Sequence, residues 1–180
     1  MRHHLDRPSD GGHVRPALIV LDIQNIWLDD NKDLKASVER RLGVINGAIA
    51  WFRRNGRPVI VVNHEDRSKG LLPGTKPFEV AKTIHVKDTD TMVAKRYPSA
   101  FGKTELTDIL RMEGCDTVVI AGLSASGCVL ATYFGAMDHD IHPYLVQGGV
   151  ASHDEMHVRA AESICETVAL HDFDKTFPEG

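Results

Sequence analysis

The chain has little cysteine, no excess of basic charge and no long apolar run, and each shortage argues against a class of protein. Cys115, Cys128 and Cys165 are an odd number of cysteines without a CxxC pair, which argues against a disulfide framework or a zinc site and favours a reducing, cytoplasmic compartment. No stretch approaches the roughly 20 apolar residues of a transmembrane helix, so we expect no membrane association. A formal net charge of −4 without a basic stripe argues against a nucleic-acid partner.

The remaining composition is that of a globular protein, with 42% hydrophobic and 26% charged residues in a chain of 180. This length suffices for one domain with its own core. The first residues, MRHHLDRPSDGGHVRP, are polar and do not resemble a signal peptide. We therefore predict a flexible N-terminal arm over residues 1–15 and a single domain over 16–180.

Strand-like and helix-like patterns alternate along the chain. Short apolar runs predict strands over 17–24, 57–65, 90–97, 116–123, 141–150 and 168–173. Helical spacing and end signals predict helices over 38–56, 102–114 (with Thr104 as N-cap), 127–140 and 152–167. Such alternation gives a doubly wound parallel sheet covered on both faces. The long irregular stretch 66–89 is of a length that is usually functional or mobile.

Ligands of such sheets bind beyond the carboxyl ends of the strands, where the chain places Asp22, Lys95 and Cys128. Taken alone, each has an ordinary interpretation: a turn residue, a surface lysine and a packing cysteine. Cys128, however, falls just past the turn after the fourth strand, where a helix begins and where a thiol has a lowered pKa. Cys115 and Cys165 fall on core-like positions. The combination at the strand ends therefore favours a thiol nucleophile.

Several rival motifs are absent. GLSAS (122–126) starts like a serine nucleophile elbow but ends in Ser126 where that motif needs glycine. There is no GxGxxG, P-loop or HExxH, so neither a nucleotide, a bound phosphate nor a metal is indicated. We expect no cofactor.

Three blocks give the chain a resemblance to the isochorismatase-like cysteine hydrolase superfamily, which includes nicotinamidases and N-carbamoylsarcosine amidase. They read LIVLDIQN over 18–25, VAKRYPSAFGKTEL over 93–106 and VVIAGLSASGCVLATYFGAMDHD over 118–140. The match extends from about residue 16 to about residue 170. The resemblance implies a three-layer α/β/α fold with a six-stranded, mainly parallel, doubly wound sheet.

The resemblance also implies a site and a reaction. Asp22, Lys95 and Cys128 correspond to the family's catalytic triad. A cis peptide bond is implied at Leu123–Ser124, with the backbone N–H groups of Ser124 and Cys128 forming the oxyanion hole. The implied reaction is hydrolysis of a C–N (amide or ureido) bond in a small molecule through a thioester on the cysteine.

Departures from the family's motifs narrow the range of possible substrates. The Asp-x-His element that binds metal in nicotinamidases is missing from NHEDRSKGLL (63–72), so we predict no metal and no nicotinamidase activity. His153 stands where N-carbamoylsarcosine-type amidases carry an arginine, which puts a strongly anionic substrate in doubt. Three alternatives stay open: an isochorismatase-type C–O (vinyl ether) hydrolase, a non-catalytic scaffold of the same fold, and a thiol redox sensor.

Pocket and assembly are predicted less directly. Candidates for the pocket wall are Gln24, His64, Tyr97, Phe101 and His153. The resemblance implies a homo-oligomer, a dimer or tetramer. WFRR (51–54) and ATYFGAM (131–137) could form its interface, although core packing explains both segments equally well.

Overall fold

The fold is built on one sheet of six parallel strands in a computed structural model that describes residues 14–178. The strand order is β3-β2-β1-β4-β5-β6, which is that of a doubly wound sheet. The strands are β1 Pro16–Leu21, β2 Val59–His64, β3 Thr91–Lys95, β4 Thr117–Leu123, β5 His142–Ala151 and β6 Thr167–Val168. All five pairings are parallel, so the described sheet is wholly rather than mainly parallel.

The two central strands are buried throughout because helices cover both of their faces. Every residue of β1 and of β4 is buried. The two strands pair in continuous register from Pro16–Thr117 to Leu21–Gly122. Near-continuous apolar runs of this kind are typical of doubly covered parallel sheets.

The helices form the two outer layers of the predicted three-layer architecture. They are α1 Asn25–Asp29, α2 Lys32–Glu39, α3 Leu42–Arg54, α4 Leu106–Met112, α5 Leu130–Met137, α6 Glu155–Ile164 and α7 Phe173–Thr176. Helices α1, α2, α3 and α7 contribute to one apolar core. Helices α4, α5 and α6 contribute to a second core on the opposite face.

Several predicted elements differ from the structure, among them one strand and two helices. The strand over 168–173 is wrong: β6 is only Thr167–Val168, and the chain continues into α7 because Phe173 packs edge-on against Trp51, with ring centroids 5.2 Å apart. The helix predicted over 38–56 is α3, which begins at Leu42, and the separate helix α2 ahead of it was not predicted. Helix α2 begins at an Asn31 cap whose side chain accepts from the Leu34 N–H at 2.9 Å. Helix α4 starts later than predicted, although Thr104 Oγ1 does accept from the Leu106 N–H at 3.3 Å.

The irregular stretch 66–89 is anchored to the body of the protein. Asn46 donates to the Thr83 carbonyl and accepts from the His85 N–H, both at 2.9 Å. Arg53 forms an ion pair of 2.7 Å with the nearly buried Asp90. The far half of this stretch is therefore part of the fold, and the exposed turn around a 3-10 helix at Arg67–Lys69 lies nearer the strand ends.

Two other predictions concern the surface. Residues 1–13 of the predicted arm lie outside the described part of the chain, while Arg15 is tied by its N–H to Asp116 Oδ1 at 3.0 Å. The interface suggested for 51–54 is contradicted in its aromatic residues, because Trp51 and Phe52 are buried in the core. No helix within residues 14–178 is long and apolar enough to cross a membrane.

Candidate active site

Three side chains from three strand ends meet at the carboxyl edge of the sheet. Asp22 follows β1, Lys95 ends β3, and Cys128 lies in the turn after β4. Lys95 Nζ lies 2.8 Å from Asp22 Oδ2 and 3.2 Å from Cys128 Sγ. A third contact joins Nζ to the Tyr97 carbonyl at 3.2 Å. The structure thus brings together the three residues that the sequence placed at this edge.

The backbone at this edge is shaped by two residues of positive φ. Asp22 has φ 54°, and its N–H donates to the Val62 carbonyl at 2.8 Å, so the chain leaves β1 abruptly. Gly122 has φ 127°, and a Cβ there would lie 2.1 Å from the Leu21 carbonyl oxygen. Only glycine fits such a close approach. Residue 122 therefore lets β4 pass directly beside the start of the Asp22 turn.

The turn that carries Cys128 is a single wide helical turn, Ala125–Val129, ahead of α5. The Leu123–Ser124 peptide bond is cis, as the resemblance implied. The Ser124 carbonyl accepts from the N–H groups of Gly127 and Val129, at 3.0 and 3.2 Å, on either side of Cys128.

Asp22 and Lys95 form a buried ion pair, exposed by only 2% and 1%. Burial raises the pKa of Asp22, and the adjacent Lys95 charge opposes that rise. Oδ2 is engaged by Lys95, whereas Oδ1 is buried without a geometrically defined hydrogen bond among the described residues. The Cys128 thiol also interacts with this carboxylate and lowers its pKa, so Asp22 can accept the thiol proton while Oδ2 keeps its contact with Lys95.

The surroundings of Cys128 raise the pKa of its thiol, which is opposite in direction to the lowering expected at the start of a helix. Burial, then the negative charge of Asp22, raise its pKa to about 11, while Lys95 lowers it. The physical reason is charge balance: the carboxylate and the ammonium already neutralise each other, so a thiolate would add an uncompensated buried charge. This direction favours a reaction in which the thiol gives its proton to a neighbour as it attacks, rather than beforehand.

Two predicted pocket residues lie beside the triad, Gln24 in the segment after β1 and His64 at the end of β2. Gln24 is fully buried, and its Nε2 donates to the carbonyls of His64 and Phe78 at 2.9 and 3.1 Å. Its Oε1 accepts from the His64 N–H at 2.9 Å, so it clamps these segments together. Burial, and then Lys95, lower the pKa of His64. The His64 Nδ1 is buried without a partner among residues 14–178.

The other pocket candidates differ in exposure. Tyr97 is 45% exposed and lies under the Lys103 ammonium, 5.1 Å from the ring centroid. Phe101 is buried and stacks on His139 with centroids 5.3 Å apart. His153 is exposed and touches the ring of His157. Contact of any of these side chains with substrate stays a prediction.

Sequence reasoning overlooked Ser152, which directly follows β5 and is 1% exposed. Its Oγ lies 3.3 Å from Ser124 Oγ in the turn that leads to the cysteine. The signal that could have found it is position: it is a small polar residue at the same edge of the sheet as Asp22 and Lys95. Within residues 14–178 no group of three or more histidine, cysteine, aspartate or glutamate side chains is arranged to hold a metal ion.

Comparison with known proteins identifies the family to which a chain with this fold and this arrangement of Asp22, Lys95 and Cys128 belongs. The family model of the isochorismatase domain matches residues 16–169. The chain therefore belongs to the isochorismatase family.

Individual relatives within that family differ in the activity that their names carry. The chain is 27% identical to the isochorismatase family protein YddQ of Bacillus subtilis, over 90% of this chain and 83% of that protein. It is 32% identical to the phenazine biosynthesis protein PhzD1 of Pseudomonas aeruginosa, over 82% and 76%. The crystal structure of N-carbamoylsarcosine amidase from Thermoplasma acidophilum is similar, with TM-score 0.73 and 28% identity over 87% of this chain and 95% of that chain.

Proposed function

We propose that this family hydrolase cleaves a C–N bond, amide or ureido, in a small molecule through a thioester on Cys128. The observation that carries the proposal is the contact of Lys95 Nζ with both Cys128 Sγ, at 3.2 Å, and Asp22 Oδ2, at 2.8 Å. A nucleophile, a proton acceptor and a fixed cation within hydrogen-bond reach are the parts that covalent catalysis needs. The similarity to an N-carbamoylsarcosine amidase supports the same bond type.

The first half of the reaction forms the thioester. Asp22 accepts the thiol proton as Cys128 Sγ bonds to the substrate carbonyl carbon, and the carbonyl π electrons move to oxygen. The backbone N–H groups of Ser124 and Cys128 are proposed to hold this oxyanion, and one such donor typically contributes a factor of about 10²–10³ in rate. Asp22 then gives this proton to the nitrogen, the oxyanion electrons re-form the carbonyl, the C–N bond breaks, and ammonia or an amine leaves the thioester behind.

The second half releases the acid. Asp22 takes a proton from water, the oxygen attacks the thioester carbon, and the C–S bond breaks as the proton returns to sulfur. Lys95 keeps Asp22 oriented and offsets the charge that develops on sulfur. The raised pKa of Cys128 fits this scheme, because proton transfer to Asp22 then coincides with attack.

A C–O hydrolase of vinyl ethers is the second candidate, favoured by the 32% identity to a phenazine biosynthesis protein. In the reaction as we propose it for that class the cysteine is dispensable. The two candidates therefore differ in one observable, a covalent intermediate.

The test is intact-protein mass spectrometry after acid quenching, with ammonia measured in parallel. The substrates are N-carbamoylsarcosine and a panel of small neutral primary amides. An acyl adduct that maps to Cys128, together with ammonia release, supports the amidase. Turnover of isochorismate by wild type and by Cys128→Ala alike, with no adduct from any amide, would replace it with the C–O hydrolase.

A further inference from the structure

The turn that leads to Cys128 is bonded through its side chain to the end of a neighbouring strand. Ser124 Oγ has one hydrogen-bond partner among the described residues, Ser152 Oγ at 3.3 Å. Ser152 Oγ also lies 3.3 Å from Nδ1 of His157, on helix α6. Three side chains thus form one hydrogen-bonded chain, and both serine hydroxyls are committed to it whichever tautomer His157 adopts.

Ser152 is held in place from the opposite side. Its N–H donates to Oγ of the fully buried Ser37 at 3.3 Å. Ser37 Oγ also accepts from Arg41 at 2.9 Å, and Arg41 is paired with Glu155 at 2.6 Å. Hydrogen bonds from Arg41 and Arg40 hold the pKa of Glu155 down, at about 2, so this network keeps its charges across the neutral range.

We propose that Ser152 is a positioning residue for the oxyanion hole, acting on the Ser124 N–H through the bond between the two hydroxyls. The inference rests on the proposed function, which assigns the Ser124 N–H to that hole. Ser152 does not touch the triad through any hydrogen bond in the structure. Its contribution is to restrict where the residue before the nucleophile turn lies.

This role has a consequence that a purely structural role lacks. Oxyanion donors act only when they are aimed at the oxygen in the tetrahedral state, and a misplacement of about 1 Å can cost on the order of 10²-fold. Loss of the Ser152 hydroxyl is expected to weaken stabilisation of the tetrahedral state. It should leave intact any reaction of Cys128 that develops no oxyanion.

Two probes separate these reactions without requiring the natural substrate. Iodoacetamide alkylates Sγ by displacing iodide at a saturated carbon, so no oxyanion forms. Cys128 adds to the carbonyl carbon of propionaldehyde and gives a thiohemiacetal. The S–C bond forms, the carbonyl π bond opens, and the thiol proton is transferred to the former carbonyl oxygen. This oxygen occupies the position of the oxyanion. Protection of Cys128 from limiting iodoacetamide by propionaldehyde measures the affinity for this adduct.

The variants are Ser152→Ala, Ser124→Ala and the double variant, with Ser163→Ala on the exposed face of α6 as matched control. Ser124→Ala keeps the backbone N–H and removes only the hydroxyl. We expect Ser152→Ala to weaken aldehyde protection about tenfold while the alkylation rate stays within about twofold. The double variant should be no worse than either single one, because both remove the same bond. Ser152→Thr, which keeps a hydroxyl, should recover part of the loss.

The outcomes are distinguishable. Unchanged aldehyde protection in Ser152→Ala, or effects of the two alanine variants that simply add, would overturn the inference and leave the proposed function intact. Equal loss of alkylation and protection would make Ser152 a structural residue only, and would also overturn it. If wild-type Cys128 forms no aldehyde adduct and releases no ammonia from any amide, the proposed function fails and the inference fails with it.

Discussion

The two ends of strand β4 each carry a half-buried cysteine, Cys115 just before it and Cys128 just after it. The electrostatics of the two thiols are alike. Burial, then a neighbouring carboxylate, raise the pKa of each to about 11, while a nearby cation lowers it. The carboxylate is Glu113 at the first site and Asp22 at the second.

What differs is how the neighbouring charges are held. Glu113 and Arg15 are exposed to solvent, so their effect on Cys115 is screened and their positions are free to vary. Asp22 and Lys95 are buried and fixed 2.8 Å apart. A shifted pKa therefore does not distinguish the proposed nucleophile Cys128 from Cys115. What sets the proposed nucleophile apart is a fixed ion pair whose ammonium lies 3.2 Å from Cys128 Sγ, whereas Glu113 and Arg15 beside Cys115 are exposed.

The largest expected difference between the two ends is in turnover of the amide. Cys128→Ala should lower kcat by at least about 10⁴-fold, because removal of a nucleophile eliminates the covalent route. Cys115→Ala should leave kcat and KM unchanged, since that thiol lies at the opposite end of the strand. Steady-state ammonia release measures both. Near wild-type turnover by the Cys128→Ala variant would contradict the proposed amidase and favour the C–O hydrolase.

The next difference is in stability and concerns the two glycines of positive φ at the ends of the strand. Gly122→Ala would bring a Cβ to 2.1 Å from the Leu21 carbonyl oxygen, so we expect a loss of at least about 4 kcal/mol in the free energy of unfolding. At Gly114 the nearest atom is on the Arg15 side chain, at 3.5 Å. Gly114→Ala should cost only the left-handed backbone penalty of about 1 kcal/mol. Urea unfolding of both variants checks this, and equal losses would show that the close approach at Gly122 is relieved elsewhere.

The two cations give a smaller contrast. Lys95→Met leaves the Asp22 carboxylate buried without its partner, and breaking such a pair costs about 3 kcal/mol. Arg15→Met removes an exposed charge and should change stability by no more than about 0.5 kcal/mol. Adding Asp22→Asn to Lys95→Met should restore most of the loss, because no unpaired buried charge is then left. A double variant as unstable as Lys95→Met alone would place the cost in packing rather than in charge.

The strand ends also show which features of the fold and of the candidate site can be predicted from the sequence. Parallel strands place their carboxyl ends on one edge, so Asp22, Lys95 and Cys128 could be brought together from the order of elements and the family motifs. The doubly wound parallel sheet followed from the alternation of elements, and its six strands from the family resemblance, whereas the order of the strands was not predicted. The short strand β6 was overestimated, because an aromatic contact between Phe173 and Trp51, distant in sequence, decides that the chain turns into a helix there.

The sequence was less informative about the charge state of the site. A thiol at the start of a helix suggests a lowered pKa, yet the shift of Cys128 depends on the distances to Asp22 and Lys95, which no motif states. Ser152 was missed for the same reason, since its role depends on contact with Ser124 across two strands. Position along a strand is readable from sequence, whereas distances between strand ends are not.

The smallest expected difference between the two cysteines is in the rate of alkylation. Here removal of the neighbouring carboxylate is expected to make Cys128 react faster, not slower. Because the charge of Asp22 raises the pKa of Cys128, Asp22→Asn should lower that pKa and leave Lys95 to stabilise the thiolate. Alkylation by limiting iodoacetamide at pH 8 should become about tenfold faster, as for a shift of about one pKa unit. Amide hydrolysis by the same variant should collapse, since the proton acceptor is gone. Asparagine tolerates the left-handed backbone of residue 22, so the fold is retained.

Glu113→Gln is the matched change at the other end, and it should speed alkylation of Cys115 by no more than about twofold, because the exposed Glu113 charge is screened. Peptide mapping after alkylation from pH 5 to 9 follows both thiols in one experiment. In wild type, a thiol whose pKa is raised to about 11 is expected to react about tenfold faster for each pH unit, since only the thiolate attacks. A plateau near neutral pH would instead reveal a preformed thiolate. Slower alkylation of Asp22→Asn would mean that Asp22 acts on Cys128 as a proton acceptor even toward iodoacetamide, and that its opposing charge is the lesser effect.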